Sequence, residues 1–89
     1  MPEISRFLGM VIQMYADDHP GPHFHIRYEG RSAASYYLRS GRLIVRDRRL
    51  PVSQTNAVKR WAELHRNELL ENWERLERRE NAVRISPLR

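Results

Sequence analysis

Three histidines fall within one short segment, His19-Pro20-Gly21-Pro22-His23-Phe24-His25, and the chain has one other, His65. Imidazole titrates near neutral pH and ligates transition metals, so this spacing opens two kinds of chemistry. In the first, His19, His23 and His25 converge on a divalent metal. In the second, His23 and His25 form an acid–base pair that takes the proton of a ribose 2′-hydroxyl and protonates the leaving oxygen. Nearby arginines then hold the phosphate. A third reading needs no chemistry. Pro20 and Pro22 stiffen a turn, Gly21 permits angles neither proline can adopt, and the histidines brace it by hydrogen bonds.

The arginines have a place of their own. The formal net charge is +5. The excess lies between residues 27 and 52, where Arg27, Arg31, Arg39, Arg42, Arg46, Arg48 and Arg49 outweigh Glu29 and Asp47. A guanidinium presents a planar fork of donors that fits phosphate or carboxylate. Arg27, Arg42, Arg46, Arg48 and Arg49 are therefore the candidate nucleic-acid or anion-binding set, for a nucleic acid or an acidic partner protein.

Positioning these groups requires a scaffold, and its pattern changes once along the chain. Phe7 to Tyr15 reads as a first strand, with Leu8, Met10, Ile12 and Met14 alternating onto one side. Turn residues follow, then a second strand over His23–Tyr28 that separates Phe24, Ile26 and Tyr28 from His23, His25 and Arg27. On that strand the two imidazoles leave the same face. Glu29-Gly30-Arg31 reads as a turn, Ala34, Tyr36 and Leu38 mark a third strand, Ser40-Gly41 a hairpin turn, and Leu43-Ile44-Val45 a fourth strand. Connections this short make the meander antiparallel.

After Pro51 the period becomes helical. Ser53 or Thr55 is placed to cap a helix over about 54–79, and Val58, Trp61, Ala62, His65, Leu69, Trp73 and Leu76 fall within an arc of roughly 120°. Its other side offers Lys59–Glu63, Glu71–Arg75 and Glu74–Arg78 pairs. A straight rod of that length spans ~39 Å, longer than a domain of this size is wide, so a kink or a projecting end is expected. Trp61 and Trp73 read as core; His65, on the apolar arc, reads as a core histidine or a fourth member of the histidine cluster. Ala82 to Ile85 could add an edge strand. The expected fold is α+β: a meander of about four strands over residues 4–46, packed against one long C-terminal amphipathic helix, with a short tail.

At 89 residues the chain reads as a single domain, 1–89, and without cysteine it has neither disulfides nor a thiolate zinc site. Met1-Pro2-Glu3-Ile4 lacks signal-peptide character, and no apolar run nears the roughly 20 residues of a membrane span. A cytoplasmic protein with no membrane partner is expected. His23-x-His25-x-x-x-Glu29 matches the first half of a cupin ligand pattern, but the chain is too short for that barrel and lacks the later histidine.

Taken together, the motifs resemble a family of small bacterial proteins defined as a domain of unknown function (number four-one-six-zero). They are Pro2-Glu3-Ile4-Ser5-Arg6-Phe7, the His19–His25 segment against the family's H-x-P-P-H-F-H, the run from Trp61 to Trp73 against W-A-E-L-H-x-x-E-L-L-x-N-W, and Ile85-Ser86-Pro87-Leu88. Gly21 replaces a usual proline, and Arg46-Asp47-Arg48-Arg49 is more basic than the usual approach to the helix. The resemblance implies one half of a two-gene pair, toxin–antitoxin-like or regulatory, with a small partner protein. It carries over no catalytic residue.

Overall fold

The computed structural model describes residues 3–16 and 21–88. Its strands are β1 (Glu3–Phe7), β2 (Met10–Gln13), β3 (His23–Tyr28), β4 (Arg31–Tyr37) and β5 (Arg42–Val45), followed by helices α1 (Val52–Leu64) and α2 (Arg66–Glu77). The strands form one antiparallel sheet in sequence order, so the fold is α+β with a meander, as expected.

Five strands replace the expected four because the first apolar run is a hairpin. Leu8 (φ 51) and Gly9 (φ 76) both adopt left-handed angles, the signature of a tight two-residue turn whose twist matches its strands. Phe7 then pairs with Met10, and both are buried, while Leu8 points to solvent at 56% exposure. Glu29 (φ 52) and Gly30 (φ 77) repeat this turn between β3 and β4.

The single long helix is also corrected to two. The molecule's longest dimension is 34 Å, too short for the straight rod. The chain breaks at His65 (φ −112, ψ 24) into segments of 13 and 12 residues. The bond from His65 N to Trp61 O (3.0 Å) closes α1, and that from Leu69 N to His65 O (2.9 Å) opens α2. Pro51, not Ser53 or Thr55, occupies the position before α1, and the Thr55 hydroxyl donates instead to Val52 O at 2.7 Å. Two of the expected helix-surface partners also differ: Arg75 donates to Asn72 and Arg78 to Glu80.

The sheet's inner face carries Met10, Ile12, Phe24, Ile26, Ala34 and Tyr36, all buried. Trp61 from α1 is fully buried against them, its ring 5.6 Å from Phe24 and 5.3 Å from Phe7. Trp73 is core as well. Ala82 to Ile85 forms no strand; the segment instead runs beside β1 through one backbone bond, Ile85 N to Ile4 O at 2.8 Å. Trp61 Nε1 donates to Ser86 O (2.8 Å) and fastens the same segment to α1.

Candidate functional site

The helices pack on one side of the sheet, with Trp73 of α2 also reaching His23, and the registers define what the other side holds. Gln13, His25, Ser35 and Ile44 stand opposite one another across β2 to β5. Arg6, Val11 and Arg27 form a second row, and His23, Tyr37 and Arg42 a third. Because β-strand side chains alternate, Arg46 continues the side begun by Arg42 and Ile44.

His23 and His25 do leave the same face, their rings edge to face with centroids 5.0 Å apart. Their surroundings differ. His23 is buried: Gly21 O lies 3.1 Å from Nδ1, Tyr37 stacks at 5.3 Å, and Trp73 of α2 lies at 5.3 Å. His25 is half-buried and lies flat against Tyr15, with centroids 4.7 Å apart and planes within 6°. Its Nδ1 is 3.3 Å from Ser35 Oγ.

Ser35, which no local pattern singles out, links the histidines to the arginines. Its oxygen accepts a hydrogen bond from Arg46 at 2.8 Å. The same hydroxyl has a second lone pair and a proton, so it pairs with His25 Nδ1 in either imidazole tautomer. Ser35 is itself fully buried, so it orients its neighbours and is not a surface nucleophile. A hydroxyl on the row shared with His25 is the available signal, and it carries meaning only once the register is known.

The other arginines divide. Arg27 donates to Gly30 O, closing the β3–β4 turn. Arg42 is exposed on β5, and Arg48 is exposed in the turn that follows. Arg49 is held by Asp47, which accepts from its backbone N (3.0 Å) and its Nε (3.1 Å) and also receives Arg31 Nε at 3.3 Å. The backbone bond from Arg49, then its guanidinium, hold the Asp47 carboxyl below its ordinary value of 3.8. Glu3, the carboxylate at the far edge, is bridged by Arg6 at 2.7 Å and Arg84 at 3.1 Å. Hydrogen bonding from Arg6 lowers its pKa in the same way.

His65 stands apart, with Trp61 against its ring and Glu68 Oε1 2.5 Å from Nδ1. His19 lies outside the described residues. Among those described, no group of three or more His, Cys, Asp or Glu is arranged to hold a metal ion, and no helix is long and apolar enough to cross a membrane.

A family model described as a domain of unknown function (DUF4160) matches residues 9–74, from the first hairpin to the α2 tryptophan. The Pro2–Phe7 opening and the Ile85–Leu88 close fall outside that match. No curated protein and no solved structure matches the chain.

Proposed function

The chain belongs to the family described as a domain of unknown function, DUF4160, and from that premise we propose that it is a small cytoplasmic binding module whose open sheet face takes single-stranded nucleic acid. One observation carries the reading. The outer sheet face presents Arg27, Arg42 and Arg46 around the Tyr15–His25 stack, with His23 and Ser35 buried among them, and among the described residues of its rows the one carboxylate, Glu3, is bridged by Arg6 and Arg84. Rings on a sheet let bases stack, and guanidinium groups beside them hold the phosphates. Changing Arg27, Arg42 and Arg46 to Gln weakens binding of an oligoribonucleotide and flattens its salt dependence, by about 0.7 in log–log slope for each phosphate no longer neutralised. An unchanged slope removes the reading.

A small partner protein, the other half of a toxin–antitoxin-like or regulatory pair, is the second party we propose. β5 is the last strand of the sheet, and Val45 on it is exposed, which offers such a partner a strand edge.

A second reading, a histidine-based nuclease, is favoured by the Arg46–Ser35–His25 chain. Here His25, its ring oriented by an Nδ1–H donated to Ser35 Oγ, accepts the 2′-hydroxyl proton at Nε2, His23 protonates the leaving oxygen, and Arg46 meets the phosphate. A divalent metal at His19, His23 and His25 is its alternative form. His25→Ala abolishes RNA cleavage in either form while binding persists, and metal analysis of untagged protein separates the two. Cleavage that survives His25→Ala ends this reading.

A further inference from the structure

Beside the row His23–Tyr37–Arg42 lies a hollow of about 560 Å³, with Pro22, Tyr37 and Ile44 as apolar wall and Arg39 and Arg42 at its charged side. We infer that this hollow is a nucleotide subsite, with a base stacked on the Tyr37 ring and the phosphate held by Arg39 and Arg42.

Three features converge on that ligand. The volume lies within the roughly 300–1,000 Å³ of small-molecule sites. The Tyr37 ring is fixed before any ligand arrives: one side lies on His23 at 5.3 Å and 22°, and His23 is backed in turn by Trp73 and held near Gly21 O. A ring already immobilised gives up little entropy when a base stacks on it. The charge is of one sign, since none of the described residues lining the hollow is acidic. A neighbouring hollow of about 250 Å³, across Gly21 and Pro22, carries Glu74 and Glu77 beside Trp73. Arg39 lines both hollows, and the two carboxylates of the smaller one disfavour a phosphate there, so an anion on Arg39 is directed to the Tyr37 side, where Arg42 joins it. An aromatic, anionic ligand suits this lining better than a bare anion or an apolar one.

The inference rests on the nucleic-acid reading of the open face and adds to it the place where one nucleotide is read. The ligand is either a free mononucleotide or one unit of a single strand, and both share this chemistry. The full chain is titrated calorimetrically with adenosine 5′-monophosphate, with inorganic phosphate and with a short single-stranded oligoribonucleotide. Adenosine monophosphate is expected to bind more tightly than phosphate. Arg39→Gln with Arg42→Gln, both exposed and without cost to folding, weakens it about tenfold, and Tyr37→Leu does so to a similar degree. A much tighter oligonucleotide, also weakened by these variants, identifies a unit of a strand; equal or absent oligonucleotide binding identifies the free nucleotide. Phosphate binding as tight as the nucleotide, or nucleotide binding indifferent to the Arg39/Arg42 double variant, overturns the subsite. Failure of the open-face reading looks different: Arg27→Gln with Arg46→Gln leaves oligonucleotide binding unchanged while the hollow variants still weaken mononucleotide binding about tenfold.

Discussion

Asn72 is fully buried, and its carboxamide both gives and accepts. Nδ2 donates to Val83 O at 2.7 Å, while Oδ1 accepts from Val83 N at 2.8 Å and from Arg75 at 3.0 Å. The side chain thus plays the part of a neighbouring strand for the C-terminal segment, which Trp61 and Ile4 hold farther along. Asn72→Ala leaves the Val83 groups without these partners and is expected to cost about 2–3 kcal/mol in urea unfolding. It should also open the segment after Glu80 to protease. A loss within measurement error contradicts the clamp. Periodicity marks position 72 as facing inward, but a polar residue on an apolar arc shows its purpose only when its partner, eleven positions later, is in place. Ser35 is the same case on the sheet: its importance depends on Arg46 and His25, which no local pattern joins to it.

At the scale of elements, the turn at Leu8-Gly9 shows why periodicity alone reads one strand where the chain forms two. Leu8 continues the alternation of Met10, Ile12 and Met14, so the apolar pattern passes through the turn unbroken. The backbone reports the turn instead, with φ 51 at a leucine, a conformation that costs a residue with a Cβ about 1–2 kcal/mol. Leu8→Asn creates the preferred Asn-Gly pair, and little packing is given up because Leu8 is exposed. Stability should rise by about 1 kcal/mol, or roughly 4–8 °C in Tm for a domain of this size. A fall in Tm shows that Leu8 contributes packing not apparent from its exposure. The helix break is legible in part: rod length demands a bend, whereas its place at His65, with neither proline nor glycine to mark it, leaves no sign in the pattern. β3 is legible from its alternation and the Glu29-Gly30 turn from its residues, whereas β4 runs from Arg31 to Tyr37 with Ala33 to Tyr36 buried in succession, leaving Leu38, expected in the strand, in the turn before Ser40-Gly41.

At the scale of the whole molecule, two layers divide the labour. The inner sheet face and both helices bury the aromatic core, and the outer face carries arginines and tyrosines around buried His23 and Ser35 and half-buried His25. Charge counting along the chain locates the basic segment, but strand order decides that Arg6 and Arg46, forty residues apart in sequence, belong to one surface. Arg49, counted with the others, is engaged by Asp47 in the turn after β5.

The most direct measurement is an amide chemical-shift map of the full chain titrated with a single-stranded oligoribonucleotide. The account predicts shifts concentrated on Gln13, His25, Arg27, Ser35, Arg42 and Arg46, with α1 and α2 nearly silent. Shifts confined to the exposed faces of the helices, or none at ligand excess, contradict it.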